Sequence, residues 1–483
     1  MPPKRSAAVA AKSSHRKAPT KASAKASTTS SSRKRAREDT LPEKAGPKRQ
    51  KAASKGLNHP PTQRLNAYVF GGNENGELGL GPSADDEVVR PRLNPHLAGA
   101  GVVQLAVGGM HCAALTHDNK ILTWGVNDLG ALGRDTTWDG GLVDISDAED
   151  DVDAERNPKE STPGEVDLTG VPEDTIFTQV AAGDNCTFAL TSQGTIYGWG
   201  TMRSSDGVIR FQPDIDIQRT PTPMPGLKNI TKIAAGCNHI LALSSDGKVY
   251  TWGFGEQSQL GRRVLQRSMG SWGGLIPRNL GLKNIVDLGS GSDHSFAIDA
   301  SGKVYSWGSN NFGQTGISTN AGGLSATVTI PTVVESLTNL QSGTILQVSG
   351  GNKHSLARSS EGHCYAWGQL DGYATGMKLD NLPDEGVIRD ARGNPRILTQ
   401  PTPLPDLRVS FVAACGDHSI AICQDGQPFS WGFNSGHQTG QKDDNDVEVP
   451  TKIECKATRG KEFLWAGGGG QFSVLAEKVA LDE

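Results

Sequence analysis

From Tyr68 onward, apolar and polar positions repeat one theme, seen most fully in Ile230 to Gly261, ITKIAAGCNHILALSSDGKVYTWGFGEQSQLG. An apolar run, Ile233-Ala234-Ala235, leads to Gly236, and His239 then opens an alternating segment with Leu241 and Leu243 set against Ala242 and Ser244. Period-two spacing of this kind predicts a half-buried strand. Ser245-Asp246-Gly247 reads as a hairpin turn, with Gly supplying the positive φ that residues carrying a Cβ resist. The next strand, Lys248 to Trp252, ends at Trp252-Gly253, and a Gly-bearing loop continues to Leu260-Gly261. One unit is therefore three or four short strands without a helical period, in line with a propeller blade.

The other copies align by their Trp-Gly pairs, at Trp124, Trp199, Trp252, Trp307, Trp367 and Trp431, with steps of 75, 53, 55, 60 and 64 residues. A further unit begins at Phe463-Leu464-Trp465, passes Gly468-Gly469-Gly470-Gln471 and Ser473-Val474-Leu475, and stops without its Trp-Gly strand. The missing piece lies at the other end of the repeats, where Tyr68-Val69-Phe70-Gly71 is followed by Asn73, Gly76 and Leu78-Gly79. The expected fold is all-β: a seven-bladed β-propeller over 61–483 whose N-terminal strand completes the last blade, so that neither sheet edge is left open.

Composition agrees with a repeat of tight turns, with 60 Gly and 26 Pro in 483 residues. The seven Cys form no C-x-x-C pair, which argues for a reducing interior. With no apolar run of membrane-spanning length, a soluble protein without membrane contact is expected. Charge changes the picture more. Residues 1–56 hold 16 Lys and Arg against three acids, a net of +13, while the remainder holds 32 against 49, a net of −17. A segment over 1–60 so poor in apolar residues cannot offset its ordering entropy, so a disordered basic tail is expected. It reads either as a solubilising tail or as an electrostatic grip on DNA phosphates. Arg33-Lys34-Arg35-Ala36-Arg37 and Pro47-Lys48-Arg49-Gln50-Lys51 also look like an address for a nuclear-import receptor.

The G-x-x-H, Trp-Gly and N-x-x-G-x-L-G pattern over residues 67–479 resembles the regulator of chromosome condensation family, chromatin-bound exchange factors for the small GTPase Ran. Asn127-Asp128-Leu129-Gly130-Ala131-Leu132-Gly133-Arg134-Asp135 is similar to that family's first-blade ending, and Pro2-Pro3-Lys4 to its amino-terminal methylation signal. Relatives that serve as ubiquitin ligases carry large extra domains, for which this chain has no room. The resemblance implies Ran and histones or nucleosomes as partners. It assigns chromatin contact to Lys4, Arg5, Arg33, Lys34, Arg35, Arg37, Lys48 and Arg49, and to Arg262, Arg263 and Arg267 in a longer loop before Trp272. Arginine suits an acidic surface because its planar guanidinium forks to carboxylates.

In the second unit the expected Asn-x-x-Gly loop is replaced by 201–210, in which Met202, Arg203, Ser204, Ser205, Asp206, Gly207 and Val208 centre on a hairpin turn between strand-like flanks. It resembles the wedge by which the family's factor pries at the nucleotide site of Ran. Asn127 and Asp128 of the first-blade ending, with the residues between the recurrent Gly and His, Asp184, Asn238, Asp293, Lys353 and Asp417, are expected to form the rest of the GTPase-binding face. Asp184 matches an acidic residue of the family, whereas Asn238 stands where Asp is common and Lys353 where His is frequent. His111, His239, His294, His354 and His418 share one position in five units, with Cys186 and Gln471 in two others. A catalytic base is needed once, so a side chain repeated around a ring is expected to pack and hydrogen-bond between blades.

An acidic insertion, 139–160, carries Asp144, Asp147, Glu149, Asp150, Asp151, Asp153 and Glu155, and reads as a solvated loop or as a screen for the basic tail. Its carboxylates lack the Gly-centred spacing of a calcium loop. With no P-loop, dinucleotide fingerprint or zinc spacing, neither a cofactor nor bond-making chemistry is expected. The reading is a Ran exchange factor, nuclear and chromatin-associated, held to chromatin by the tail and the face opposite the wedge. Its rivals are a chromatin-binding scaffold without exchange activity and, further behind, a light-sensing ring of the plant ultraviolet type.

Overall fold

The computed structural model describes residues 56–140, 155–264 and 273–480. The described residues belong to one unit, Lys55–Glu483. Lys4, Arg5, Arg33, Lys34, Arg35, Arg37, Lys48, Arg49, Arg267 and the central part of the acidic insertion lie outside the described residues.

The architecture is all-β. Four consecutive four-stranded antiparallel sheets have their first strands at Val102–Val107, Phe177–Ala182, Ile230–Ala235 and Ile285–Ser290. A larger sheet follows, from Ile345–Gly350 to Val447–Lys452, in which the 20-residue strand Pro395–Ala414 pairs with His363–Gln369 through its first half and His418–Cys423 through its second. The last sheet joins Phe463–Gly468 and Phe472–Lys478 to Leu65–Gly72 and Glu87–Leu93. The pairing expected of the two chain ends is present, with Phe70 opposite Ser473 and Tyr68 opposite Leu475.

The strand His239–Ser244 is buried along its whole length rather than half-buried as the alternation predicts. Both of its faces are covered, because sheets pack on either side. Ile240 and Ala242 join one apolar cluster with Phe188 and Trp252, while Leu241 and Leu243 join the next with Ile285 and Trp307. Alternation along the strand thus distributes side chains between two cores, each shared by neighbouring sheets. The expected turn is also found, with Gly247 at φ 74°.

What locks one sheet to the next, and the two halves of the larger sheet to each other, is a recurring polar staple. His239 Nε2 meets Ser295 Oγ at 2.8 Å; that hydroxyl donates to the Gln259 carbonyl at 3.0 Å, and the same carbonyl receives Trp307 Nε1 at 2.8 Å. The same arrangement links His294, Ser355, Trp367 and Gln314; His354, Ser419, Trp431 and Ala374; and His111, Thr187, Trp199 and Ala131. His418, Ser473 and the Gln438 carbonyl form it without an indole. The Gly of each repeat ending makes room for the incoming ring: a Cβ on Gly133 or Gly261 would lie 2.7 or 2.9 Å from Trp199 or Trp307. The recurrent histidines are therefore structural, as their repetition implies. In the last sheet the equivalent position is Phe472, not Gln471, since Gly469 N donates to Phe472 O as Gly108 N does to His111 O.

Two junctions lack the histidine and its hydroxyl partner together. Between the second and third sheets the pair is Cys186 and Ile240, and between the last and first it is Phe472 and Cys112. A buried imidazole without a hydroxyl would be an unsatisfied polar group, so losing both is less costly than losing one.

Burial holds these imidazoles neutral, His111 at about 4 and His239, His294, His354 and His418 at about 3. Unfolded imidazole takes its proton near pH 6.5, so below that pH the unfolded chain binds more protons and folding weakens until the folded-state values are reached. Each histidine contributes a slope of up to about 1.4 kcal/mol per pH unit across that window. Urea titrations between pH 7 and 5 are expected to show unfolding free energy falling steeply below 6.5, with His239→Gln lowering stability but flattening the slope. A slope unchanged by that substitution would contradict the buried, neutral assignment.

Candidate functional site

The register of the sheets puts two kinds of loop at one end. His111 lies opposite Gly125, Cys186 opposite Gly200, His239 opposite Gly253 and His294 opposite Gly308. The residues just before each histidine position and the loops following each Trp-Gly therefore share a face. Beneath it, a cavity of about 740 Å³ is lined by the first strands of all the sheets, with Asp184, Asn185, Arg203, Cys237, Ser292 and Asn352 at its rim.

The 201–210 segment forms the expected ribbon on this face. Met202–Arg203 pairs with Ile209–Arg210, Met202 opposite Arg210 and Arg203 opposite Ile209. Gly207 N donates to Ser204 O at 3.0 Å, closing the turn, and Gly207 has a φ of 79°. Two bonds fasten the ribbon to the third sheet: Arg203 N donates to Asn238 Oδ1 at 2.7 Å and Ser205 N to Glu256 Oε2 at 2.8 Å. Arg203, Ser205, Asp206 and Gly207 are exposed, as is Val208 at 43%.

Two ribbon residues are not presented to solvent. Met202 is fully buried in the core shared with Phe188, Phe211 and Trp252, so its side chain is an anchor, not a contact. Its sulfur lies against Gly253, and Trp252 Nε1 lacks the carbonyl acceptor that Trp124, Trp199, Trp307, Trp367 and Trp431 each have. Ser204 is buried too, its Oγ accepting from Val208 N at 3.0 Å.

Around the ribbon, Asp184 lies beside Cys237: its N donates to Cys237 O at 2.9 Å, and the Cys237 thiol bonds its carboxylate. Burial raises the Asp184 carboxyl above its ordinary value. Asp293 accepts from Gln259 Nε2 at 3.0 Å and is raised as well, first by burial and then by repulsion from Asp184 and Glu256. Three carboxylates thus crowd the ribbon's base, and a cation arriving there would relieve both repulsion and desolvation. Asp417 is exposed, receiving Asn352 Nδ2 at 3.3 Å, and Lys353 Nζ stands 5.0 Å over the Phe312 ring. Asp128 is exposed at the mouth of a separate cleft with Arg134 and Arg219.

Asn127 does not belong with them. It is buried, its amide reaching Thr136 Oγ1 at 2.9 Å and its Oδ1 accepting from Leu132 N at 2.9 Å, so it shapes its own loop. Arg262 is likewise half-buried, its guanidinium bonding the carbonyls of Gly274 at 3.1 Å and Ile276 at 3.3 Å, and burial brings it down to about 10. Those bonds hold the arginine within its own loop, unlike Arg263, which is exposed. That loop starts and returns beside Gly253, whose N donates to Gly274 O at 3.0 Å, which is the ribbon's end of the sheet rather than the opposite one. Glu256 and Cys237 were not singled out by sequence reasoning: both lie inside the repeat, Cys237 within its G-x-x-H stretch and Glu256 in the loop after Trp252-Gly253, and only the crossing of two loops brings them to the ribbon.

A family model described as the RCC1-like domain matches residues 66–475. The chain belongs to this family. It is 40% identical over 435 residues to the guanine nucleotide exchange factor SRM1 of Saccharomyces cerevisiae, covering 87% of this chain and 89% of that protein. The fold is similar to crystalline Prp20p of Saccharomyces cerevisiae, described with its binding to Gsp1p and histones, at a TM-score of 0.79 and 38% identity over 88% of this chain and 94% of that one. A second RCC1 structure, yeast Prp20 with Kap60 bound, matches at a TM-score of 0.80 and 36% identity over 92% and 97% of the two chains.

Met202→Ala is expected to cost about 2–4 kcal/mol of stability, the usual loss for truncating a buried Met. Asp206→Ala at the exposed turn should stay within about 0.5 kcal/mol. Urea denaturation of both variants measures the difference, and equal losses would contradict the anchor assignment.

Proposed function

We infer that this RCC1-family chain is a guanine-nucleotide exchange factor for the small GTPase Ran, acting by binding linkage and without covalent chemistry. Its sheets are read as the seven blades of a ring over 61–483, closed by the pairing of Leu65–Gly72 with Phe472–Lys478. A partner that prefers the nucleotide-free GTPase weakens the nucleotide by the same factor that the nucleotide weakens the partner. The exposed residues of the wedge, Arg203, Ser205, Asp206, Gly207 and Val208, distort the phosphate site while Asp184, Asp293 and Glu256 around its base, with Asp128 and Asp417 farther out, meet cationic groups of the GTPase. The direction of exchange follows the nucleotide pool.

The observation that carries this reading is the fastening of an exposed two-stranded ribbon to Asn238 and Glu256 on a carboxylate-rich face. It also bears on the departure at position 238. The Asn238 amide oxygen serves as the acceptor for Arg203 N, a task that needs a lone pair rather than a charge. That favours exchange over the rival scaffold without activity.

Localisation follows from the tail. Residues 1–60 hold the chain in the nucleus and on chromatin through an import receptor, DNA phosphates and the acidic surface of histones, with Lys4, Arg5, Arg33, Lys34, Arg35, Arg37, Lys48 and Arg49 as contacts. Arg263 and Arg267 are retained for the histone surface, while Arg262 supports their loop from within.

Stopped-flow release of a fluorescent guanine nucleotide from Ran is expected to accelerate on adding this protein. Deleting Ser204 to Gly207 should abolish the acceleration and leave the unfolding midpoint near that of the intact chain. Equal release rates with and without the ribbon would overturn the wedge assignment.

A further inference from the structure

The junction beneath the wedge is the one most depleted of staples from within. Cys186 and Ile240 replace the histidine and hydroxyl, and Trp252 Nε1 has no acceptor. The Gln179 amide still spans it, donating to Ile233 O at 2.7 Å and accepting from Ile233 N at 2.9 Å. At the end remote from the wedge, however, the junction is bridged by a residue from outside either sheet. Asn58 Nδ2 donates to Thr191 O of the second sheet at 2.9 Å and to Ile230 O of the third at 2.8 Å, while Asn58 N donates to Ser192 O at 3.0 Å.

Corresponding bridges elsewhere come from the sheets themselves. Asn119, in the hairpin turn of the first sheet, donates to Thr175 O at 2.8 Å and accepts from Phe177 N at 2.8 Å. Gln427 donates to Lys461 O at 3.0 Å. In the second sheet the turn residue is Gly194, which has no side chain to reach across, and Leu57 packs against it. From Asn58 the chain runs on to Leu65, which pairs with Lys478 in the last sheet.

We propose that Asn58 is a positioning residue for nucleotide exchange: by bracketing the second and third sheets at one end of their junction, it sets how the wedge stands over Asn238 and Glu256 at the other. The wedge leaves the second sheet after Gly200 and is fastened to the third through Arg203 N and Ser205 N. Any change in the spacing of the two sheets therefore reaches both fastenings. A carboxamide suits the bracket because one NH₂ group serves two carbonyls at once. The proposal rests on the wedge reading above for its effect on exchange, but not for its effect on the ribbon.

The test compares Asn58→Ala, the shorter Asn58→Ser and, as a control bracket far from the wedge, Gln427→Ala, each in the full chain. Hydrogen exchange of the 201–210 peptide is expected to quicken about tenfold in Asn58→Ala, the scale of losing a bracket of ordinary hydrogen bonds. Asn58→Ser should fall between it and the parent. Maximal Ran nucleotide release should slow by about the same factor, with the half-saturating Ran concentration little changed, because the face that holds the GTPase is intact. Gln427→Ala should lower stability comparably and alter neither readout. If Asn58→Ala does not fold, Asn58→Ser carries the comparison. Unaltered exchange of the peptide in the folded Asn58 variant, or an equal change in Gln427→Ala, overturns the proposal. If deleting Ser204 to Gly207 leaves release unaffected, the wedge reading fails by itself, and peptide exchange still decides whether Asn58 positions the ribbon.

Discussion

The structure depends on carbonyls at the repeat endings that each accept two bonds from the following sheet. At Ala131, Gln259, Gln314 and Ala374 a single carbonyl receives both an indole N–H and a hydroxyl, and that hydroxyl is in turn held by the histidine of the preceding sheet. Four groups that would each be costly to bury alone become mutually satisfied. The apolar cores between the sheets supply attraction without direction; the staples fix the angle and height at which one sheet meets the next. The five recurrent histidines are committed to this task and held neutral by burial.

The proposed site coincides with the place where the repeat is broken. The second unit exchanges its ordinary ending for the ribbon, and the cost appears directly below it as an unpaired Trp252 indole and a missing histidine pair. Met202 offsets part of that cost by filling the space left in the core. The ribbon's tip then contributes little to folding, which leaves Arg203, Asp206 and Val208 free to be selected for a partner. Burial raises Asp184, and burial followed by repulsion from Asp184 and Glu256 raises Asp293, above their ordinary carboxyl values. Such a site is built to gain from a cation brought by another protein, in keeping with a factor that works through differential binding.

Much of this was legible in the residues. The Trp-Gly pairs, the Ser-Asp-Gly turn, the first strand completing the last sheet and the projecting ribbon all follow from local patterns that recur, and repetition averages out the ambiguity of any one copy. What was not legible depends on three-dimensional neighbours. Phe472 was displaced by one residue because the run Gly467-Gly468-Gly469-Gly470 offers several registers, and only the bond from Gly469 N selects one. Met202 and Ser204 looked like their exposed neighbours, since a two-residue strand carries too short an alternation to show which side faces the core. Asn127 and Arg262 have polar side chains that read as surface groups, yet both are turned inward to satisfy carbonyls of their own loops. Asn58 precedes every repeat, so no internal comparison could have marked it.

The central claim is that the wedge face distinguishes nucleotide-free Ran from nucleotide-bound Ran. It is tested most directly by a closed thermodynamic box, measuring the affinity of this protein for Ran with and without GDP, and of GDP for Ran with and without this protein. The account predicts a large preference for the nucleotide-free form, matched by an equal weakening of GDP. Equal affinity of this protein for both forms would contradict it.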